Sequence, residues 1–259
     1  MSGTDDTGAR PEAPTPRDAT GTEAPRDARQ SHAHAPAPLR VSRRPWLAAG
    51  IIALCGVGLV GGVIVYTEAR EPFAFEVDLM TALAAVRTPA VTSGALVLDV
   101  LGGGTMSNVV FPILIAAGLL AWRRPWAALY FGIATLASAG VTRLVKVLVG
   151  RVRPEDILVQ PDFGSFPSGH SSAAALIATA LGLVFMRTWV WVAGIAWTVL
   201  MMLSRMYLGA HWLSDTIGGA LVGAGVALVV WAPFAYRLYR ENRLPHPPVW
   251  RSVDTSAKA

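Results

Sequence analysis

Long apolar segments dominate the chain from about residue 46 onward, and they constrain its fold more than any other feature. Hydrophobic residues make up 53% of the sequence and charged residues only 15%, which would leave a soluble protein with more apolar surface than it could bury. Most segments reach or approach the roughly 20 residues that a helix needs to cross the hydrocarbon core of a bilayer. The sequence therefore predicts an all-α integral membrane bundle of six transmembrane helices, at approximately 46–66, 105–122, 126–149, 171–187, 189–206 and 213–236.

The remaining stretches divide the chain into a membrane domain and two tails. Residues 1–40 are rich in Ala, Pro, Thr, Asp and Arg and have almost no large apolar side chains, so they predict a disordered cytoplasmic tail. Residues 41–240 form the predicted six-helix domain, and residues 241–259 a cytoplasmic C-terminal tail. Between the first two spans, the stretch 76–101 mixes apolar and charged residues. We expect a helix lying along the membrane interface there, with a re-entrant segment as the alternative.

The arginines between the apolar segments indicate the orientation of the bundle. With the N-terminus in the cytoplasm, nine arginines fall on the inner side: Arg40, Arg43, Arg44, Arg123, Arg124, Arg187, Arg237, Arg240 and Arg243. The outer side then holds Arg70, Arg87 and Arg151 besides the basic residues of the motifs below. Because cytoplasmic loops are enriched in Lys and Arg, we expect a plasma-membrane protein with both termini in the cytoplasm. The ends of the third and fifth segments then meet the starts of the fourth and sixth on the outer face.

Charge and cysteine usage argue against two other classes of protein. The net charge is +5, but no basic stripe with interleaved aromatic residues is present, so we expect no nucleic-acid partner. Cys55 is the only cysteine. The chain therefore has neither an intrachain disulfide nor a cysteine metal site.

Three groups of polar residues interrupt the apolar pattern at the segment ends that are expected to share the outer face. They are Lys146 with Arg153-Pro154, Pro167-Ser168-Gly169-His170, and Ser204-Arg205 with His211 and Asp215. A charged side chain at membrane depth costs about 2.5–3.5 kcal/mol even on lenient scales. The convergence of several cations at one face therefore indicates an anionic partner.

The basic residues of these groups suit a phosphate. Lys146, Arg153 and Arg205 supply three positive charges and many N–H donors, which match the oxygens of a phosphoryl group. Ser168 is placed as the N-cap of the fourth segment, and free amide groups at a helix start bind anions. Gly169 allows the backbone to approach such an anion closely.

The histidines of the same groups suit nucleophilic and acid chemistry. His211 and Asp215 are four residues apart and so share one face of a helix. We expect the Asp215 carboxylate to accept a hydrogen bond from one ring nitrogen of His211 and to leave the other nitrogen as a nucleophile. His170 is then the general acid for the leaving oxygen. Three fixed cations can neutralise a phosphoryl group without a metal or another cofactor.

Together these motifs resemble those of the type 2 phosphatidic acid phosphatase superfamily, whose patterns are K-x6-R-P, P-S-G-H and S-R-x5-H-x3-D. Every fixed position of the three patterns is present, and the similarity covers about residues 70–236. The resemblance implies a six-helix membrane fold, a metal-independent reaction and a phosphohistidine intermediate. It implies that His211 is the nucleophile, Asp215 its orienting partner and His170 the acid. It also implies that the phosphate ligands are Lys146, Arg153, Ser168, Gly169 and Arg205.

The expected activity is hydrolysis of a membrane lipid phosphomonoester or pyrophosphate, of the phosphatidic acid or undecaprenyl diphosphate type, at the extracytoplasmic face. The sequence does not choose between these lipids and leaves the oligomeric state open. One alternative is a vanadate-dependent haloperoxidase-like enzyme, although such enzymes are soluble and larger. A second is an anion- or lipid-binding transporter, whose site should lie near the bilayer midplane. A zinc site at His170, His211 and Asp215 is disfavoured because the adjacent cations would repel the metal.

Charged residues outside the motifs receive structural interpretations. We expect Arg143, Arg151 and Arg187, near or at segment ends, to serve membrane topology or lipid headgroup contact. Asp99 is interpreted as a solvated interfacial residue rather than a functional intramembrane acid. Asp162 is interpreted as part of a packed loop.

Two further patterns concern packing and the first outer loop. Gly58 with Gly62 and Gly219 with Gly223 have the G-x-x-x-G spacing that favours close helix packing. An acidic cluster lies in the predicted first outer loop and comprises Glu68, Glu71, Glu76 and Asp78.

Overall fold

The computed structural model describes residues 42–67, 71–160, 162–246 and 248–249, and within these ranges the backbone forms eight helices and no strand. The predicted N-terminal tail and most of the predicted C-terminal tail lie outside the described residues. The all-α prediction is confirmed. The helices are α1 Arg44–Tyr66, α2 Ala74–Ala85, α3 Pro89–Gly102, α4 Met106–Ala121, α5 Pro125–Val149, α6 Gly169–Phe185, α7 Thr188–Tyr207 and α8 Leu213–Asn242.

Each of the six predicted apolar segments coincides with one helix. Four of these helices, α1, α5, α7 and α8, are long and apolar enough to cross a membrane. The other two, α4 and α6, are apolar but shorter, and α4 begins with a π-helical turn at Met106–Val110. By length and composition the described residues hold four spans, or five if α2 and α3 together form one bent span. These findings establish a multi-pass membrane protein, and six spans stay a prediction.

The stretch 76–101 differs from the single helix expected there. It contains α2 and α3, which meet at an angle of 119° across a short break. The break has a local cause, because Pro89 disfavours helical geometry at the residue before it. Thr88 accordingly adopts extended backbone and caps α3, with its hydroxyl accepting from the Val91 N–H at 3.4 Å. The bent pair has the geometry of a broken span or a re-entrant loop.

Helix α6 lies at the centre of the bundle and packs against both α7 and α8. The contact with α8 depends on glycine, because a Cβ atom at Gly219 or Gly223 would collide with the backbone carbonyl oxygens of Ser168 or Ser172. The G-x-x-x-G prediction is confirmed for this pair. It was wrong for Gly58 and Gly62, where a Cβ would meet no heavy atom within 4 Å.

A buried carboxylate fixes the other end of the bundle. Glu241 accepts hydrogen bonds from the backbone N–H groups of Trp126 and Ala127, at 2.9 and 3.1 Å, and so caps the start of α5. Helix α8 accordingly continues to Asn242. The ends of α5 and α7 and the starts of α6 and α8 are held together at the opposite end, where the predicted motifs lie.

Candidate active site

Two of the predicted cations converge on the loop between α5 and α6. Helix α5 ends at Gly150, whose φ of 55° turns the chain away from the helix. The Lys146 ammonium and the Arg153 guanidinium both donate to the carbonyl oxygen of Gly164, at 2.9 and 2.8 Å. Both also form ion pairs with the carboxylate of Asp162. The loop thus places two positive charges side by side.

Asp162 therefore takes part in the site, and its interpretation as a packed loop residue was wrong. Its side chain is 69% exposed, while those of Lys146 and Arg153 are almost buried. Burial alone would raise the pKa of Asp162, but the positive charges of Lys146 and Arg153 outweigh it and hold this pKa below its usual value. An ionised carboxylate is thus paired with the two cations that a phosphate would need.

The start of α6 forms the second part of the site. Ser168 is the N-cap, as expected, and its hydroxyl oxygen accepts from the Ser171 N–H at 3.4 Å. The Ser168 N–H donates to the carbonyl oxygen of Asp215 at 2.9 Å, which joins α6 to the first turn of α8. A Cβ at Gly169 would meet no heavy atom within 4 Å. The space beside Gly169 in the first turn of α6 is thus open, and a helix start is where an anion can bind.

Arg205 and His170 meet at a carboxylate that α3 supplies. Asp99 forms an ion pair with the Arg205 guanidinium, and its carboxylate lies 3.2 Å from His170 Nε2. The interpretation of Asp99 as a solvated interfacial residue was therefore wrong. Arg205 Nε is buried and has no hydrogen-bond partner among the described residues.

His211 lies in the short connection between α7 and α8 and is 2% exposed. Its Nδ1 lies 2.8 Å from the carbonyl oxygen of Ser165. Because a carbonyl can only accept, Nδ1 carries the proton of the neutral ring and Nε2 holds the lone pair. Nε2 lies 3.4 Å from the Arg153 guanidinium. The ring therefore presents its lone pair to the cation cluster.

Burial and charge keep this imidazole neutral. Desolvation lowers the pKa of His211 well below its usual value of 6.5, and the positive charges of Arg153, Lys146, Arg205 and His170 lower it further. A neutral imidazole is the form that can attack phosphorus.

Asp215 does not form the hydrogen bond expected of it. Its Oδ2 lies 3.7 Å from His211 Nδ1, beyond hydrogen-bonding distance. The carboxylate instead accepts from the Trp212 N–H at 2.8 Å and from the Arg151 guanidinium at 2.7 Å. It thus fixes the chain beside His211 and places a negative charge near the ring.

Arg151 and Glu76 were missed by the sequence analysis. Arg151 is 1% exposed and Glu76 is fully buried, and they form an ion pair of 2.7 Å behind Asp215. The interpretation of Arg151 as a topology or headgroup residue was wrong. The sequence did contain a signal for such pairs. A carboxylate in a mostly apolar stretch, such as Glu76 or Asp99, is expected to pair with a cation.

All eight predicted site residues lie at one end of the bundle. Arg153, which lies beside Lys146, contacts His211 Nε2. Ser168 and Gly169 begin α6, and the Ser168 N–H donates to the carbonyl oxygen of Asp215. His170 and Arg205 share Asp99. Within the described ranges, no three His, Cys, Asp or Glu side chains are grouped so that they could hold a metal ion.

Comparisons with known proteins identify the family of this chain. A model of the PAP2 superfamily matches residues 127–239, which include every motif residue. The chain is also 30% identical over 166 residues to decaprenylphosphoryl-5-phosphoribose phosphatase of Mycobacterium tuberculosis, a match that covers 60% of this chain and 88% of that protein. The chain belongs to the PAP2 superfamily. The resemblance that the three motifs carry is thereby confirmed.

Two other PAP2 comparisons extend this result. Phosphatidylglycerophosphatase B of Bacillus subtilis is 29% identical over 121 residues, which is 43% of this chain and only 60% of that protein. The crystal structure of Aquifex aeolicus LpxE superposes with a TM-score of 0.55 at 25% identity and covers 62% of this chain and 96% of that one. Both relatives whose names state an activity are phosphatases. The fold of this chain resembles that of LpxE.

Proposed function

We propose that the protein is an integral membrane phosphatase that hydrolyses a lipid phosphomonoester or a lipid pyrophosphate and releases inorganic phosphate. The observation that carries this proposal is the contact of His211 Nδ1 with the Ser165 carbonyl, which leaves the Nε2 lone pair facing Arg153. A neutral nucleophile among fixed cations suits attack on a phosphoryl group. The names of both phosphatase relatives indicate lipid phosphates as their substrates, which supports a lipid substrate here.

The first chemical step forms a phosphohistidine. His211 Nε2 attacks phosphorus with its lone pair, a P–N bond forms, and the bond between phosphorus and the leaving oxygen breaks. His170 gives its proton to that oxygen, so that the lipid leaves as an alcohol or as a lipid monophosphate. Its carboxylate neighbour Asp99 orients the ring for this transfer.

The second step returns the enzyme to its starting state. A water molecule attacks the phosphorus, and the now neutral His170 takes its proton. The P–N bond breaks, its electron pair returns to Nε2 of His211, and inorganic phosphate is released. In both steps Lys146, Arg153 and Arg205 neutralise the phosphoryl oxygens, and the amides at the start of α6 bind a further oxygen. No metal takes part in this scheme.

The membrane arrangement belongs to the same proposal. Helices α1 and α4 to α8 form six spans, the bent pair α2–α3 lies at the outer side, and both chain termini are cytoplasmic. The cluster at the ends of α5 and α7 then faces outward, where a lipid headgroup can reach it from the outer leaflet. Single-cysteine labelling in intact cells tests this arrangement: after replacing Cys55 by Ala, a cysteine at the exposed Asp156 should react with an impermeant reagent. A cysteine at the exposed position of Arg123 should not.

The alternatives have less support. The helices α1, α5, α7 and α8 are apolar enough for a membrane, which disfavours a soluble haloperoxidase-like enzyme. A transporter site is expected near the bilayer midplane, whereas the cations here gather at helix ends.

A phosphate-release assay tests the proposed function. Purified protein with excess chelator is given phosphatidic acid, phosphatidylglycerol phosphate, and polyprenyl mono- and diphosphates. The wild type should release phosphate from at least one lipid, and His211→Ala should release none. His246→Ala is the matched control, because His246 hydrogen-bonds to the Glu241 carbonyl oxygen at the end of α8, away from the motif residues. Absence of wild-type activity on every lipid, or its loss with the chelator, contradicts the proposal.

A further inference from the structure

A second cluster of charged residues lies behind the nucleophile and is sealed from solvent. It consists of Glu76 on α2, Arg151 after α5, and Ser214 and Asp215 in the first turn of α8. The side chains of Glu76, Arg151 and Asp215 are 0% exposed. Among the described residues, neither Glu76 nor Arg151 forms a hydrogen bond or ion pair with the cations that would bind a phosphate. The proposed chemistry therefore leaves Glu76 and Arg151 without a role.

Each carboxylate oxygen of Glu76 accepts two hydrogen bonds. One carboxylate oxygen accepts from the Ser214 N–H at 2.8 Å and from the Ser214 hydroxyl at 2.7 Å. The other accepts from the Phe73 N–H at 3.1 Å and from Arg151 at 2.7 Å. The Ser214 N–H is one of the first-turn amides of α8 that have no partner within their own helix. Glu76 therefore caps the start of α8 from a different helix, where a negative charge is also favoured by the helix dipole.

Arg151 joins this cap to Asp215. One terminal nitrogen of its guanidinium donates to Asp215 and to the Ser214 hydroxyl, each at 2.7 Å, and the other donates to Glu76. The guanidinium also packs over the rings of Phe73 and Trp212. Only a planar fork can serve two carboxylates in this way. Because the other oxygen of Asp215 accepts from Trp212, the carboxylate near His211 is held on both sides.

We propose that Glu76 and Arg151 are positioning residues for His211, which act through Asp215 and the first turn of α8. This inference rests on the proposed function and adds a requirement to it. The bent pair α2–α3 must be folded onto the bundle before the nucleophile is correctly placed. The inference assigns to Glu76 an effect on turnover and none on phosphate binding, because Lys146, Arg153 and Arg205 do not contact it.

Conservative variants separate positioning from simple structural support. Glu76→Gln keeps the shape of the side chain but presents an amide to Arg151, and Arg151→Lys keeps the charge but loses the fork. Each should lower kcat by about 10- to 100-fold, the range found when a residue that orients a metal-bound histidine is replaced. KM and the inhibition constant of inorganic phosphate should stay within about twofold, since the cations are untouched. The double variant should be no slower than the slower single variant, because the two residues act as one unit.

Asp156→Asn is the matched control. Asp156 forms an exposed ion pair with Arg87 and has no contact with Asp215. Arg87 keeps its hydrogen bonds to the carbonyl oxygens of Tyr207 and Asp156 in this variant, so the bent pair stays docked. This variant should keep wild-type kcat and KM. Melting curves of all variants in the same detergent show that the compared proteins are folded.

The outcomes are distinct. Suppose that the wild type is active. If Glu76→Gln then has a normal kcat, or if this variant is impaired through a higher KM, the positioning role is excluded while the proposed function stands. Losses that multiply in the double variant, or an equal loss in Asp156→Asn, also exclude it. If both Glu76→Gln and Arg151→Lys fail to fold, the cluster is structural and the inference is wrong. If the wild type itself releases no phosphate from any lipid, the proposed function fails first.

Discussion

The Nδ1 atom of His211 lies 2.8 Å from the carbonyl oxygen of Ser165, whereas the Asp215 carboxylate is 3.7 Å away. The main chain, and not the carboxylate, therefore selects the tautomer of the proposed nucleophile. Asp215 contributes a nearby negative charge, which would stabilise the positive ring of the proposed phosphohistidine. This division of labour differs from a Ser-His-Asp triad, in which the carboxylate sets the tautomer.

Asp215→Asn should consequently be less damaging than the equivalent change in such a triad. Loss of the triad carboxylate costs about 10⁴-fold in kcat because the histidine adopts the wrong tautomer. Here the Ser165 carbonyl remains, so we expect a loss of about 10- to 100-fold. Steady-state kinetics on the best lipid substrate measures the effect. A loss as large as that of His211→Ala would mean that Asp215 sets the tautomer after all.

Asp162→Asn should improve phosphate binding. The Asp162 carboxylate now pairs with Lys146 and Arg153, and an anionic ligand must compete with it. An amide competes less well, so KM and the inhibition constant of inorganic phosphate should both fall. Because these cations hold the pKa of Asp162 below its usual value, the carboxylate stays ionised and the difference should persist from pH 5 to 8. A rise in KM would instead mean that Asp162 supports phosphate binding rather than competing with it.

The pH profile should reflect the lowered pKa of His211. The ring must be neutral to attack, so activity is lost as pH falls through this pKa. Since the pKa lies well below 6.5, the acid limb of kcat/KM should also lie below pH 6.5. Arg153→Gln removes a positive charge that disfavours the imidazolium, so the acid limb of its residual activity should move to higher pH. An acid limb that stays in place would show that Arg153 does not influence the nucleophile.

Much of this structure follows from local sequence. Apolar length predicts the positions of all six apolar helices, because burial in lipid depends on composition over about 20 residues. The N-cap at Ser168 follows from its residue type and its place before an apolar run. The positions of the motifs at segment ends predict that the eight candidate residues lie at one end of the bundle, because these helix ends share one face.

The parts that sequence reasoning missed depend on contacts between distant segments. Glu76 and Asp99 lie on α2 and α3, a stretch of mixed composition whose bend and docking are set by tertiary contacts. Their partners, Arg151 and Arg205, are far away in sequence. Nothing in the spacing of Arg151 distinguishes a buried fork from an arginine at the membrane surface. Asp162 was missed because the path of its loop decides whether its carboxylate reaches Lys146.

The close packing of α6 and α8 allows a matched test of stability. Gly219→Ala would place a methyl group against the Ser168 carbonyl oxygen and should cost about 1–3 kcal/mol. Gly62→Ala enters open space on α1 and should be neutral or stabilising by up to about 1 kcal/mol. Thermal unfolding in one detergent compares the two variants. Equal melting temperatures would contradict the packing described here.

The most direct test of the central claim is detection of phosphate on His211. The protein is mixed with p-nitrophenyl phosphate, quenched at alkaline pH where phosphohistidine survives, and analysed by peptide mass spectrometry. The p-nitrophenolate leaving group needs no proton from His170, so the His170→Ala variant should still form the phosphohistidine. This variant should also accumulate it, because the water that hydrolyses the intermediate no longer has a base. The account predicts phosphate on His211 in that variant and none in His211→Ala. Active protein with no phosphate on His211, or phosphate on another residue, would contradict it.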